Sequence, residues 1–420
     1  MKRKIFPFVP VGSVSAVPSK SWAHRALICA ALCEKKTELQ LSSLSGDIRT
    51  TMDCLQALGA GMHPHEGGIS IEGIRKTPAA PLLNCKESGS TLRFLLPVAA
   101  ALQENCSFTG EGRLPQRPLL PLLEALAEKG LSFSSPTLPL RLGSWKKGGI
   151  FSLPGNISSQ FASGILLAAP LLQDPVEIRF SSPLQSRSYL EISRRAMEAF
   201  SVRIEKTDTG YFLPSGQSYH SPGQFRIEGD WSNGAFWLTA GALSTKGIEI
   251  QGLQANSVQG DREILPILIR MGAKARWREN TLQICSGGRL RGIQIDGADI
   301  PDLIPILAVA AATAEGSTIF SRVARLRLKE SDRLQSTAQL IEDLGGTAEI
   351  WEDQLVVHGK QRLLGGLCRA ENDHRIAMAA AIAATCCQNE LTLLDSQAVE
   401  KSYPEFWKDY ASLGGIAHVI

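Results

Sequence analysis

The sequence predicts an α/β protein made of two similar halves, each built from three copies of one βαβαββ-type unit. Polar helix heads, each followed by an apolar helix rich in small residues, recur roughly every 70 residues along the chain. Three such units occupy about 210 residues, an ordinary size for one domain. The 420-residue chain therefore divides between its third and fourth units.

Each unit is recognised by its first helix head. The six heads are PSKSWAHR at 18–25, SGSTLR at 88–93, SSQF at 158–161, GDWSNGA at 229–235, IPDLIP at 300–305 and NDHRIAM at 372–378. In the first unit the head leads into a helix, a strand ending near Leu41 and a second helix from Asp47. That second helix places Ile48, Met52 and Leu55 at the spacing of one buried face.

The two ends of the chain are expected to complete one domain. The sixth unit is cut short by the C-terminus, and residues 2–17 form a strand region without a unit of its own. We predict an N-terminal domain over 19–226 and a C-terminal domain over 1–18 plus 227–420, with a hinge near Pro18 and Gln224. A cleft between two hinged halves is a usual place for a ligand.

The fifth unit combines an acid, an apolar helix and a charged run. Asp302 stands where a helix N-cap belongs, and Pro305 falls in the first turn, where its missing N–H costs nothing. The segment 306–314 is apolar on every face, which predicts a buried helix. The KESDR run at 329–333 is typical of a solvated face when it stands alone, but beside the other heads we expect it to face the cleft.

Composition excludes several classes of protein. A net charge of +3 and 6% aromatic residues argue against a nucleic-acid binder. The longest apolar run is shorter than the ~18 to 20 residues that cross a bilayer, and the start of the chain lacks a signal-peptide pattern. Nine cysteines without a CxxC pair favour buried thiols in a reducing cytosol over disulfides or a metal site. We expect a cytoplasmic monomer without a metal.

The helix heads carry side chains that bind anions. Helix N-termini present free N–H groups and partial positive charge, which suit phosphates and carboxylates. Hydroxyl, amide and basic groups accompany those ends, and further cations lie in the linking segments. The heads contribute Lys20, Ser21, Arg25, Gly89, Arg93, Ser158, Ser159, Gln160, His374 and Arg375, and the links contribute Arg117, Lys329, Arg333 and Lys401. The pattern indicates one or two substrates with several negative charges.

The motifs PSKSxxxR, SGSTLR, Arg117-Pro118, SSQF, IPDLIP, KESDR, NDHRIAM and KSYP together resemble the EPSP synthase family of 3-phosphoshikimate 1-carboxyvinyltransferases, from about Val17 to Tyr403. The resemblance implies a two-domain inside-out α/β barrel of the enolpyruvyl transferase type. It also implies a reaction without a cofactor, in which the carboxyvinyl group of phosphoenolpyruvate moves to the 5-hydroxyl of shikimate 3-phosphate by addition and elimination.

The resemblance assigns roles to residues of this chain. Asp302 matches the proposed base, and Glu330 and Lys20 match the proposed proton-transfer groups. Contacts with shikimate 3-phosphate fall to Ser21, Arg25, Ser158, Ser159, Ser186 and Lys329, and contacts with phosphoenolpyruvate fall to Gly89, Arg117, Arg333, Arg375 and Lys401. Gln160 would lie between the substrates, and Arg93 and His374 complete the set.

Two departures and two alternatives qualify the resemblance. Glu87 adds a negative charge beside the SGST turn, which bears on phosphoenolpyruvate affinity and glyphosate sensitivity, and Arg325 stands where some members have asparagine. The sister enzyme that acts on UDP-N-acetylglucosamine typically has a cysteine in the loop before the Arg-Pro pair, where this chain reads GEGRLPQ. An RNA-directed relative would be expected to have a basic groove with stacking aromatic residues. A non-catalytic relative would be expected to have lost Asp302, Glu330 or Lys20, and all three are present.

Overall fold

The computed structural model describes residues 1–103 and 105–420. These residues form twelve α-helices, two for each of the six predicted copies. The helices are α1 (Lys20–Ala31), α2 (Gly46–Ala57), α3 (Gly89–Leu102), α4 (Leu120–Ala127), α5 (Ser159–Ala168), α6 (Arg187–Ala199), α7 (Trp231–Leu243), α8 (Ile264–Met271), α9 (Ile304–Ala312), α10 (Arg333–Asp343), α11 (His374–Ala383) and α12 (Phe406–Ser412).

Short strands alternate with the helices along the whole chain. They are β1 (Lys2–Ile5), β2 (Gly12–Ser15), β3 (Thr37–Gln40), β4 (Gly61–His65), β5 (Gly68–Glu72), β6 (Leu82–Asn84), β7 (Cys106–Thr109), β8 (Leu140–Leu142), β9 (Gly149–Leu153), β10 (Val176–Phe180), β11 (Glu205–Lys206), β12 (Gly210–Leu213), β13 (Gln224–Arg226), β14 (Ile248–Gln251), β15 (Lys274–Arg278), β16 (Thr281–Cys285), β17 (Gln294–Asp296), β18 (Ser317–Ser321), β19 (Thr347–Trp351), β20 (Gln354–His358), β21 (Leu367–Arg369), β22 (Leu391–Leu394) and β23 (Ala417–Val419).

The chain folds into two compact halves, the N-terminal unit and the C-terminal unit, and each contains three of the six repeated copies. The N-terminal unit is Lys20–Ile227, and the C-terminal unit joins Met1–Ser19 to Glu228–Ile420. The first contains the sheets β13-β3-β5-β4, β6-β7-β8 and β11-β12-β10-β9, and the second contains β15-β16-β14-β2, β17-β18-β20-β19 and β21-β22-β1-β23. There is thus one sheet for each copy, and the predicted two-domain α/β fold class is confirmed.

The first strands of the chain belong to the C-terminal unit. β1 lies between β22 and β23 and pairs antiparallel with both, whereas β2 pairs in parallel with β14. The start of the chain therefore adds one strand to the sheet of the sixth copy and another to the sheet of the fourth. The chain leaves the C-terminal unit after Ser19 and returns to it at Glu228. These two points lie side by side, and the Ser19 amide donates to the Glu228 carbonyl at 2.8 Å.

Buried helices form the centre of each unit. Residues of α1, α3 and α5 lie in one hydrophobic core, and residues of α7, α9 and α11 lie in the other. All nine residues of α9 are buried, so this helix has no solvated face, as its apolar sequence predicts. Small residues dominate these helices because helix axes approach closely only where side chains are short.

The prediction that Asp302 caps α9 is wrong. The N-cap is Leu303, which makes no side-chain capping bond, while Asp302 lies one residue earlier in a turn. Pro305 does occupy the first turn of the helix. The carboxylate of Asp302 contacts three cations, as described below.

Gly164 sets the distance between α5 and α3. A Cβ at this position would lie 2.1 Å from the carbonyl oxygen of Arg93, a backbone atom that cannot move aside alone. We expect Gly164→Ala to lower the free energy of unfolding by about 1 to 3 kcal/mol, because it overpacks a buried helix pair. Urea unfolding followed by circular dichroism measures this change.

Gly234→Ala is the matched control for Gly164→Ala. It is also in a buried helix, but the nearest atoms to its added Cβ are side-chain carbons of Leu253 at 3.3 and 3.4 Å. Those atoms shift easily, and alanine favours the helix, so we expect a change below about 1 kcal/mol. Equal losses in both variants would contradict the close-approach argument.

Candidate active site

The N-termini of α1, α3 and α5 lie together in the N-terminal unit. Gln160, the second residue of α5, donates to the Ser90 hydroxyl in the first turn of α3 at 2.9 Å and accepts from Arg93 at 2.8 Å. Arg25 of α1 reaches the Ser163 hydroxyl of α5 at 3.5 Å. The starts of the three helices, which carry partial positive charge, therefore lie close together.

Arg117 packs against the first turn of α3. A Cβ on Gly89 would lie 2.8 Å from the Arg117 Nη1 atom and 3.0 Å from the Arg93 Nη1 atom. A side chain at this position would displace at least one of the two guanidiniums from the helix start. Ser88 caps the helix by accepting from the Thr91 amide. The predicted residues Gly89, Arg93 and Arg117 are thus brought together.

The Arg25 guanidinium is buried among neutral groups. It donates to the Ser193 hydroxyl at 2.7 Å and to the carbonyls of Ser21 and Tyr189 at 2.7 and 3.0 Å, and it lies over the Phe94 ring. Only 2% of this residue is exposed, and desolvation lowers the pKa of Arg25 to about 9. Among the described residues, no carboxylate pairs with it.

Lys20 begins α1 and pairs with an acid that the sequence analysis did not select. Its ammonium lies 2.8 Å from the Asp47 carboxylate at the start of α2. Both side chains are partly exposed, at 16% and 18%. Asp47 therefore holds the Lys20 side chain in place.

The serines predicted around a phosphate lie at the starts of α5 and α6. Ser158 caps α5, accepting from the Gln160 amide, and Ser159 is the first residue of that helix. Ser186 precedes α6 in a left-handed conformation with φ 55° and is 3% exposed. Because α6 packs on both α1 and α5, Ser186 belongs to the same unit as Ser158 and Ser159.

The C-terminal unit repeats this arrangement with α7, α9 and α11. Arg375, the second residue of α11, donates to the Ser232 carbonyl in the first turn of α7 at 2.9 Å. Its other terminal nitrogen lies 3.4 Å from the Asp302 carboxylate, just before α9. Asp373 caps α11 by accepting from the Arg375 amide at 2.9 Å. One arginine thus joins the starts of three helices.

Arg333 connects three carboxylates in this unit. It donates to Asp302 at 2.8 Å, to Glu330 at 2.5 Å and to Asp373 at 2.9 and 3.2 Å. The residue is 1% exposed and Asp373 is fully buried. Burial alone lowers the pKa of a guanidinium, but Asp373, Glu330 and Asp302 outweigh it and raise the pKa of Arg333. Asp302 and Glu330 are therefore held on one rigid group.

Lys329 is a second cation beside Asp302. Its ammonium lies 3.6 Å from the Asp302 carboxylate and its side chain is 24% exposed. Desolvation lowers the pKa of Lys329 to about 8, and Arg325 and Arg333 add to this effect while Asp302 opposes it. Lys329 therefore changes its charge near physiological pH.

His374 and Lys401 complete the predicted residues of this unit. His374 is buried at the start of α11, with Nδ1 4.0 Å from the Asp373 carboxylate. Lys401 ends a short 3₁₀ helix, and its ammonium donates to the Asn372 carbonyl at 2.6 Å. Both residues thus lie beside the start of α11.

Four polar residues at these helix starts were missed in the sequence. They are Asp47, Ser232, Asp261 and Asp373. An acid immediately before an apolar helix is an N-cap signal, and this signal could have identified Asp373. Asp47 and Asp261 both follow a glycine at the start of a second helix or its first 3₁₀ turn, a recurrence visible in the repeat.

Among residues 1–103 and 105–420, no group of three or more His, Cys, Asp or Glu side chains is placed to hold a metal ion. No helix in the same ranges has the length and apolar character needed to cross a membrane.

Comparisons with known proteins match the chain from end to end. The family model described as EPSP synthase (3-phosphoshikimate 1-carboxyvinyltransferase) matches residues 10–410. Proteins called 3-phosphoshikimate 1-carboxyvinyltransferase from Clostridium perfringens and Clostridium acetobutylicum are each 39% identical, over 96% of both chains in the first case and over 99% of this chain and 98% of the relative in the second.

Solved structures share the fold. EPSP synthase from Acinetobacter baumannii superposes with a TM-score of 0.81 at 24% identity over all of both chains. The enolpyruvyl transferase NikO from Streptomyces tendae gives 0.78 at 16% identity over 99% of this chain and 98% of that one. These likenesses concern the fold, whereas the family model and the 39% identical relatives concern the family. The chain belongs to the EPSP synthase (3-phosphoshikimate 1-carboxyvinyltransferase) family.

Proposed function

We propose that the residues at these helix starts transfer the carboxyvinyl group of phosphoenolpyruvate to the 5-hydroxyl of shikimate 3-phosphate, releasing phosphate and forming 5-enolpyruvylshikimate 3-phosphate. This is the reaction of the family to which the chain belongs. The observation that carries the residue assignment is the Arg333 cluster, which holds Asp302 and Glu330 on one guanidinium beside Lys329. It offers a base, an acid and cations within a few ångströms.

Asp302 is assigned as the base. In the addition step the 5-hydroxyl oxygen bonds to C2 of phosphoenolpyruvate as its proton leaves, so a carboxylate is needed near that hydroxyl. Arg333, Lys329 and Arg375 all lie within 4 Å of the Asp302 oxygens, and their charges favour the ionised form.

Glu330 and Lys20 are assigned to the second proton transfer. A proton must reach C3 of phosphoenolpyruvate in the addition and leave it again when the bond between C2 and the phosphate oxygen breaks. Glu330 is oriented by Arg333, and Lys20 is oriented by Asp47. Either group can exchange a proton at C3, and the division between them stays open.

The cations are assigned to the phosphates and carboxylates of the substrates. The buried Arg25 has neutral partners among the described residues, so an anion beside it would offset the cost of burying its charge. We assign Arg25, Ser21, Ser158, Ser159, Ser186 and Lys329 to shikimate 3-phosphate. Gly89, Arg117, Arg333, Arg375 and Lys401 are assigned to phosphoenolpyruvate, with Gln160 between the substrates and with Arg93 and His374 as supporting groups.

The burial of Cys106 argues against the sister activity on UDP-N-acetylglucosamine. Cys106 is fully buried in β7, where it donates to the Ala99 carbonyl at 3.5 Å. Burial raises the pKa of this thiol to about 11, which leaves it unreactive near neutral pH. The relatives and the family model also carry the shikimate name. Action as a monomer in the cytoplasm stays a prediction of the sequence.

A direct assay distinguishes the two substrates. The purified chain should release phosphate from phosphoenolpyruvate when shikimate 3-phosphate is added, and should release none with UDP-N-acetylglucosamine. Coupled phosphate detection measures the rate, and mass spectrometry identifies the enolpyruvyl product. Release with the sugar nucleotide alone would overturn the proposed reaction.

Asp302→Asn should remove turnover and leave the fold intact. The amide keeps the shape of the carboxylate but cannot accept the hydroxyl proton, so we expect kcat to fall by about 10²- to 10⁴-fold. The unfolding midpoint should fall, because the negative charge beside three cations is lost, but the variant should still fold, since Asp302 does not cap α9 and the asparagine oxygen can still accept from Arg333. Asp299→Asn, an exposed acid in the same loop, is the control and should keep full activity. Near-normal turnover in Asp302→Asn would exclude Asp302 as the base.

Lys329 should make substrate capture dependent on pH. The pKa of Lys329 is lowered to about 8 by desolvation, so its charge is present below that pH and lost above it. We expect kcat/KM for shikimate 3-phosphate, which reports on the free enzyme, to fall as pH rises through about 8. In Lys329→Met, kcat/KM for shikimate 3-phosphate at pH 7 should be about tenfold lower than in the wild type, because a charged hydrogen bond is lost. Its dependence on pH should also be weaker, up to pH 9.

Lys274→Met serves as the control for the pH experiment. Lys274 is exposed in the same unit, on β15, and should leave the profile unchanged. If Lys329→Met keeps the wild-type decline above pH 8, another group causes it.

A further inference from the structure

Asp261 is a buried acid that the proposed reaction does not use. It lies in a 3₁₀ turn, Gly260–Glu263, that leads into α8, and 2% of it is exposed. Its Oδ2 atom accepts a hydrogen bond from the Ser232 hydroxyl. Burial raises the pKa of Asp261 to about 7, with Asp302 and Asp230 acting in the same direction and Arg375 opposing them. Keeping such a group buried is costly, and its position calls for an explanation.

Ser232 connects Asp261 to Arg375. The Ser232 side chain donates to Asp261, and its carbonyl oxygen accepts from Arg375 Nη1 at 2.9 Å. The second terminal nitrogen of Arg375 lies 3.4 Å from Asp302. Because Arg375 is buried, with its guanidinium held between the Ser232 carbonyl and Asp302, a shift of Ser232 changes the direction in which the guanidinium points.

The N-terminal unit contains a related arrangement. Asp47 and Asp261 both follow a glycine at the start of the second helical segment of their copies, the first and the fourth. Each contacts the first turn of the first helix of the same copy, Asp47 through Lys20 and Asp261 through Ser232. In both units, an acid on the second helical segment therefore orients a residue at the head of the first helix.

We propose that Asp261 is a positioning residue for the phosphoenolpyruvate site, acting through Ser232 to orient the Arg375 guanidinium. The proposal rests on the assignment of Arg375 to phosphoenolpyruvate made above. Its physical basis is the hydrogen bond between the two side chains, which fixes the first turn of α7 and with it the carbonyl that Arg375 requires. Asp261 itself contacts no substrate in this scheme.

The test compares the KM values for the two substrates in Asp261→Ala, Asp261→Asn and Arg375→Lys. Asp261→Ala should raise the KM for phosphoenolpyruvate by about tenfold and change the KM for shikimate 3-phosphate and kcat by less than about threefold. Asp261→Asn should stay within about threefold of wild type for both substrates, because the asparagine oxygen still accepts from the Ser232 hydroxyl. Arg375→Lys should raise the same KM as Asp261→Ala.

A matched control separates positioning from stability. Glu263→Ala changes an exposed acid of the same turn and should keep both KM values. A purely structural role for Asp261 would lower the unfolding midpoint while leaving the ratio of the two KM values at the wild-type level, and that result would overturn the proposal. Asp261→Asn behaving like Asp261→Ala would also overturn it, because the bond geometry would then not matter.

The remaining outcomes distinguish the positioning role of Asp261 from the assignment of Arg375 to phosphoenolpyruvate, on which that role rests. If Arg375→Lys raises the KM for phosphoenolpyruvate and Asp261→Ala does not, the positioning role alone is wrong. If Arg375→Lys leaves that KM unchanged, the assignment of Arg375 fails and the positioning role fails with it. Should Asp261→Ala not fold, Ser232→Ala removes the same hydrogen bond from the other side. An unchanged KM for phosphoenolpyruvate in Ser232→Ala would then overturn the proposal.

Discussion

The site in the C-terminal unit depends on the ion pairs of the buried Arg333 guanidinium. Three carboxylates meet it, those of Asp302, Glu330 and Asp373, and two further cations, Lys329 and Arg375, approach Asp302. Charges removed from water are costly unless they are paired and hydrogen-bonded, and removing one member of a buried cluster leaves the others uncompensated. The members of the cluster therefore depend on one another. Their mutual ion pairs keep the carboxylates in fixed orientations at the ends of apolar helices.

The N-terminal unit distributes its charges differently. Arg25 is buried against carbonyls, hydroxyls and an aromatic ring, and no described carboxylate pairs with it. A cation held in this way lacks a negative charge that a phosphate or carboxylate of a substrate would provide. The C-terminal unit thus contains its own acids, as proton transfer requires, whereas around Arg25 the N-terminal unit offers mainly donors, as anion binding requires.

The sequence predicted the fold class and most of the helix heads because these depend on local pattern. Apolar residues on all faces identify central helices such as α9, and head spacing identifies the copies. The position of Asp302 was predicted less well, because a cap and an ion-pair partner look alike in sequence and only the position of Arg333 decides between them. Asp261 was missed for a related reason. Its contact with Ser232 joins residues 29 positions apart, and no helical or strand periodicity encodes that contact.

Asp47 and Asp261 show how one repeated scaffold carries two chemistries. The inner helices tolerate little change, because their faces are packed and a single added methyl at Gly164 would meet backbone. Variation is therefore concentrated at the helix starts, where side chains leave the packed core. The same Gly-Asp position contacts a lysine ammonium in one unit and a serine hydroxyl in the other. In the first case the acid orients a charged group directly, and in the second it acts through a serine whose backbone carbonyl holds an arginine. The chemical difference between the units thus arises from the first turns of their helices, which stand on buried apolar helices in both units.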